Sequence, residues 1–220
     1  VAVADHTAHD AMADLAAAIL ADAPARFALA GLSMGGYLAF EILRGGSAVA
    51  QKLKAVTFIP GATEFGYDTE IVQRQTGRGQ VTAENAHLSA GRSDWTASLD
   101  QLQASAPNVG MASIVVAWFG NDMRCGSCLL RPGVDARDKT TTGGTWRVSG
   151  ITRNEAYEVS RVNGAAAYGG TPSDQTVIAA ISDLKARGLS VTLTPFILMD
   201  IAEGNTLANP YGGTRQRIGI

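Results

Sequence analysis

Charge is scarce in this sequence, and so are sulfur and aromatic rings. Charged residues make up 17% of the 220, and 18 Lys and Arg against 20 Asp and Glu leave a formal net charge of −2. That balance gives no electrostatic case for nucleic acid, which needs a basic face. Two Cys are too few for a disulfide scaffold and fit a reducing compartment. Three His leave few general bases and few metal ligands. No apolar run is long enough for a membrane span, and no basic-then-apolar leader opens the chain, so neither a membrane partner nor secretion is expected. What is present is ordinary globular material, 46% hydrophobic, with 25 Gly that imply many turns. The length suits one sizeable core or two small ones.

The stretch Ala28 to Leu43, ALAGLSMGGYLAFEIL, carries the G-x-S-x-G pattern at Gly31-Leu32-Ser33-Met34-Gly35. Arg26 to Leu32 reads as a buried parallel strand, and Tyr37 to Leu43 continues as an apolar-rich helix. Strand, tight turn and helix is the setting a nucleophile elbow needs. Gly31 and Gly35 lack the β-carbons that would collide there. Ser33 is the candidate nucleophile, and the amide of Met34, at a helix N-terminus, is the candidate oxyanion donor. The segment from Val1 to about Arg44 resembles the middle of an α/β-hydrolase. The resemblance implies a later acid and then a histidine, in the chain order Ser, Asp or Glu, His. His6 and His9 precede Ser33, and His87 follows it too early, in surroundings unlike that family's histidine loop. The oxyanion-loop segment expected upstream is not found either. Ser33 stands in a nucleophile's position without its base.

Beyond Gly45-Gly46-Ser47 the character changes. Lys54 to Pro60 reads as a strand, Thr69 to Val72 and Gln80 to Thr82 as short strands, and Asp94 to Ala104 as a helix with Trp95, Leu99 and Leu102 inward. Met111 to Phe119 is a strong buried strand. Arg124 to Trp146 is loop-like. Thr171-Pro172-Ser173-Asp174 reads as a helix start, with Thr171 as N-cap, Pro172 at the first position and Asp174 as the reciprocal acid. Val177, Ile178, Ile181 and Leu184 form that helix's apolar face, and Gly188 stops it. Leu189 to Asp200 follows as a strand with a break at Pro195. Strand, crossover helix and strand imply parallel pairing, with Asp122 and Asp200 emerging at the same edge.

The stretches KAVTFIPGATEFGYDTE, AENAHLSAGRSDWTASLDQLQASAPNV, IVVAWFGNDMRCGSC and AYGGTPSDQTVIAAISDLKARGLSVTLTPFILMDIAEGNTL resemble the tail-hub, or baseplate, protein of gene transfer agents and related phages. The resemblance runs from about Ser47 to near Gly213. It implies a TIM-barrel domain similar to glycoside hydrolases, other tail and baseplate proteins as partners, a cell-wall glycan as a candidate ligand, and cytoplasmic assembly into a phage-like particle. The two resemblances belong to different families and meet near Gly45 to Ser47, so the chain reads as a chimera. The expected class is α/β: a hydrolase-like helix-strand-helix fragment over residues 1–46, a tail-hub linker region over 47–110, and an incomplete TIM-barrel-like parallel βα segment over 111–220. The runner-up function is serine ester hydrolysis at Ser33.

Paired carboxylates at strand ends are what glycosidic-bond cleavage requires. Asp122 and Asp200 are the candidates, with Glu203 just beyond, and Trp118 is the candidate for stacking on a sugar. Each has a plainer role open to it: a strand-end Asp commonly caps a turn, and a Trp in an apolar strand is usually core. Cys125-Gly126-Ser127-Cys128 lacks the second ligand pair that a structural zinc site needs. No cofactor and no metal are expected.

Overall fold

The computed structural model describes residues 47–60, 63–87, 91–202, 204–213, 215 and 216, together with four helical positions, Asp14, Ala17, Ala18 and Ala21. The hydrolase-like segment with Ser33 and Met34, and also Glu203, lies outside the described residues.

The elements, in chain order, begin with α1 (Ser47–Lys52), β1 (Ala55–Phe58), β2 (Gln73–Gly77), β3 (Gln80–Ala83), α2 (Asp94–Ser105) and β4 (Met111–Gly120). Eight two-residue strands follow, β5 (Leu130–Arg131), β6 (Gly133–Val134), β7 (Thr141–Thr142), β8 (Arg147–Val148), β9 (Ile151–Thr152), β10 (Tyr157–Glu158), β11 (Arg161–Val162) and β12 (Ala165–Ala166). Helix α3 (Asp174–Ala186) and β13 (Ser190–Met199) complete the order.

The sequence MASIVVAWFG is rich in β-branched and aromatic residues, and β4 accordingly forms the centre of the main sheet. β1 and β13 flank it, both parallel, with Ala55 and Ser190 each opposite Met111. Ala112 and Ile114 of β4 face a core that also takes Trp95, Leu99 and Leu102 of α2 and Ala180 and Leu184 of α3. Residues from either side of position 110 therefore share one core. Trp95 Nε1 donates to Asp183 at 2.9 Å and ties the two helices together. A second core holds Phe65, Val72, Val134, Trp146, Val148 and Ala156.

The barrel-like α/β reading is overturned. Strand residues outnumber helical ones, and the sheets are small and mixed. Among the described residues the main sheet has three parallel strands, β1, β4 and β13; β5 joins it antiparallel, and the other strands make separate two- and three-stranded sheets, one of them the parallel pair β6 and β10. The cause lies in residues 121–173, which form no helix. Their Gly-, Thr- and Arg-rich sequence has turn chemistry every few residues and no 3.6-residue apolar period, so it folds as two-residue strands, β8–β9 and β11–β12 as hairpins, where a barrel would need crossover helices.

Three local expectations also change. Helix α3 is capped by Ser173, whose hydroxyl accepts from Thr176 N at 3.1 Å. Thr171 instead donates to the Ala117 carbonyl at 2.7 Å and accepts from Gly133 N, so it stitches β6 to β4. Ile178 is 63% exposed, and the buried face runs through Thr176, Ala180 and Leu184. Strand β13 passes through Pro195 unbroken. Ser190 N donates to Gly110 O and Asp200 N to Gly120 O, so even-numbered amides face β4 and position 195 faces the free edge, where no N–H is needed.

Beyond β1, side chains and β5 take over much of the edge of β4. Tyr67 Oη lies 2.8 Å from the Phe58 carbonyl and accepts from Val115 N at 3.2 Å. Thr171 takes the Ala117 carbonyl, and β5 pairs with Phe119 and Gly120. Because β1 stops at Phe58, the space beyond its carboxyl end is open.

Candidate functional site

That space is a 470 Å3 cleft. Its lining includes the apolar Phe58, Ile59 and Trp95, the last only 3% exposed, and a polar wall of Arg74, Glu84 and Asp135. Phe58 and Trp95 pack edge to face with centroids 5.1 Å apart. Ligands of parallel sheets gather outside the carboxyl ends of strands, and this cleft occupies such a place.

Behind the polar wall lies a buried ion cluster. Glu64 has no exposed surface; its Oε1 accepts from Asp135 N at 3.0 Å and from Arg153 Nη1 at 3.1 Å. Lys139 Nζ lies 3.1 Å from Glu64 Oε2, 3.1 Å from Glu84 Oε2 and 2.5 Å from Asp135 Oδ2. Thr63 donates to Glu84 Oε2 at 2.6 Å, and Arg74 Nε stands 3.4 Å from Glu84 Oε1. Gly170 sits against Glu64 at φ 84°, and a β-carbon there would come within 2.7 Å of Glu64 Cγ. One oxygen from each of Glu64, Glu84 and Asp135 lies within 4.8 Å of the others, the grouping a divalent cation would use. Here the Lys139 ammonium touches all three, so the protein supplies the cation itself.

The electrostatics follow from that crowding. Burial pushes the Glu64 carboxyl up, and the positive charges of Arg153 and Lys139 only partly offset it. At Asp135 burial works in the same direction, but hydrogen bonds to Glu64 and Lys139 and the nearby charges outweigh it and hold the carboxyl down. Burial opposes the charge on Lys139, while Glu64, Asp135 and Glu84 outweigh it and raise its value. The cleft therefore meets a fixed, ionised Asp135 with its counter-ion behind it. Neighbouring carboxyls with values driven apart are common in functional sites and in structural ion clusters alike.

No family model matches the chain, and no curated protein matches it in sequence.

Asp122 and Asp200 do follow the same ends of two parallel strands, but neither lines the cleft. Asp122 is 3% exposed and holds the next loop: its Oδ2 accepts from Arg124 Nη2 at 2.6 Å, and its Oδ1 from Gln216 Nε2 at 2.7 Å and Arg124 N at 2.9 Å. The hydrogen bonds from Arg124 and then Gln216 keep its carboxyl well below the ordinary carboxylate range. Asp200 is buried; its Oδ2 accepts from Tyr157 and from Ser160 N, each at 2.8 Å. Burial, then the Asp200 contact, raises the Tyr157 phenol. Trp118 is half-buried against the second core. Ser33 and Met34 fall outside the described residues.

The ion cluster was not legible in sequence. Glu64 and Arg153 stand 89 positions apart, and Lys139 and Glu84 stand 55 apart. Asp135 and Lys139 are four apart, but in a segment with no helix to bring them together.

Proposed function

We propose that this chain is part of a phage-like tail-hub protein and that its cleft binds a glycan. The observation that carries the glycan reading is the cleft beyond β1, whose lining combines the aromatic Phe58 and the apolar Ile59 with the charged Arg74, Glu84 and Asp135. A sugar ring presents apolar C–H faces and a rim of hydroxyls. Aromatic faces and fixed carboxylates match the two in turn. The tail-hub part rests on the four ordered sequence stretches between Ser47 and Gly213, whose resemblance implies cell-wall contact.

Binding fits the site better than bond cleavage. Glycosidic cleavage needs one protonated and one ionised carboxyl flanking the substrate. Glu64, the carboxyl with a raised value, is wholly buried and turned to Lys139 and Arg153. Calorimetric titration with soluble cell-wall oligosaccharides tests the reading. Arg74, whose side chain is 43% exposed, can be changed without touching a core; Arg74→Ala should weaken binding about tenfold or more, the worth of a charged hydrogen bond. Heat of binding unchanged in that variant, or none in the parent chain, would count against the cleft.

Serine ester hydrolysis is the second reading, and Gly31-Leu32-Ser33-Met34-Gly35 is its specific support.

A further inference from the structure

The chain's only two cysteines stand together in Cys125-Gly126-Ser127-Cys128, in the loop that joins β4 to β5. Both are free thiols; Cys125 is exposed and Cys128 half-buried. Met199, the last residue of β13, stands opposite Gly120 in the parallel register. The Cys128 Sγ and the Met199 Sδ converge there. Each lies 2.9 Å from the point a β-carbon on Gly120 would occupy, so the missing side chain lets the two sulfurs approach the same side of Gly120.

We propose that Cys125, Cys128 and Met199 form a binding site for a soft monovalent cation, Cu(I). Thiolate and thioether sulfur select Cu(I) over hard cations. Zinc in a structural site takes four ligands in a tetrahedron. Among the described residues no His, Asp or Glu joins the two cysteines in a metal-sized group. Three sulfurs suit a low-coordinate soft ion and fall short of the zinc set. Cys125 stands three residues before Cys128 in the same loop, in a turn closed by Ser127 N donating to Arg124 O at 2.9 Å, and is assigned as the third ligand.

The loop is held ready for this. Asp122 accepts from the amide and the guanidinium of Arg124 at its start, and Gln216 Oε1 accepts from Met123 N at 2.8 Å. Asn121 Oδ1 accepts from Leu129 N at 2.8 Å at its end. Cu(I) binding exchanges the thiol protons for the metal: both cysteines bind as thiolates, two protons pass to solvent, and no atom changes oxidation state. This site is independent of the cleft.

The test is an anaerobic titration of the reduced chain with Cu(I) against a chromophoric Cu(I) chelator. One ion per chain is expected, with a sulfur-only shell in X-ray absorption. Cys125→Ser and Cys128→Ser should each abolish competition with the chelator. Met199→Leu conserves volume and should keep the circular dichroism spectrum. It should weaken Cu(I) by at least about tenfold, the lower end of what even an outer-shell change costs. No retained Cu(I), displacement of Cu(I) by equimolar zinc, or a Met199→Leu affinity equal to the parent's would each overturn the proposal.

Discussion

Replacing Lys139 with methionine removes the ammonium from between three carboxylates while keeping most of the side-chain volume. The Lys139 side chain is 1% exposed and that of Glu64 wholly buried, so water cannot take its place without rearrangement. Deleting one partner of a buried ion pair costs about 3–5 kcal/mol, because the remaining charge is left uncompensated. Arg153 still holds Glu64 and Arg74 still faces Glu84, which points to the lower part of that range, about 3–4 kcal/mol. At about 2–4 °C per kcal/mol for a chain of this size, the melting midpoint should fall by about 6–16 °C. The pH dependence carries a sign. Without the cation the buried Glu64 and Asp135 carboxyls rise in the folded state, and a group raised above its unfolded value destabilises once the pH exceeds that value. The deficit of Lys139→Met should be greatest near neutrality and shrink as pH falls through the carboxyl range. Thermal unfolding followed by circular dichroism at several pH values reads both effects. A midpoint within about 2 °C of the parent at neutral pH, or a deficit that grows in acid, would refute the coupling argued for the cluster.

Three further outcomes follow from particular residues. Pro195→Val restores an outward N–H on the free edge of β13 without touching the ladder to β4, so thermal stability should hold within about 0.5 kcal/mol while light scattering at matched concentration shows more self-association; unchanged scattering would show that the edge is not what Pro195 protects. Asp122 has a folded value depressed below the ordinary 3.8, so the stability it contributes is present above its unfolded value and lost as pH falls through the folded one. The amide shifts of Arg124 and Met123 should therefore persist well below pH 3.8 in the parent and move at neutral pH in Asp122→Asn; a variant spectrum identical to the parent's would remove Asp122 from the loop's support. A fluorophosphonate probe should leave Ser33 unlabelled, since no histidine in the sequence is placed as its base; rapid stoichiometric labelling lost in Ser33→Ala would establish the hydrolase reading.

What could be read from sequence was whatever repeats at short range. The apolar spacing of Trp95, Leu99 and Leu102 names the inner face of α2, and the β-branched run of β4 names a central strand. The crossover from β4 through α3 to β13 carries its parallel pairing in its order alone. Local signals failed where one residue had competing uses. Thr171 has the chemistry of an N-cap, but it bonds the β4 backbone and leaves the cap to Ser173, two residues on. Pro195 reads as a break only if its missing N–H faces β4; the register turns it to the free edge. The stretch 121–173 holds no periodic signal, and the barrel expectation failed there because these residues form none of the crossover helices that a barrel needs. The ion cluster and cleft join segments around 64, 84, 135 and 153, whose meeting depends on the tertiary fold.

The proposal that the cleft binds a glycan is tested most directly by nuclear magnetic resonance titration of the isotopically labelled chain with a cell-wall oligosaccharide. Saturable shifts should centre on the Arg74 guanidinium and the amides of Thr63 and Ile59, all of which line the space beyond β1. The Trp118 and Trp146 indoles, packed in or against the second core, should stay in place. Shifts that centre on Trp118 or on the loop after β4, or a spectrum unmoved at saturating sugar, would contradict the account.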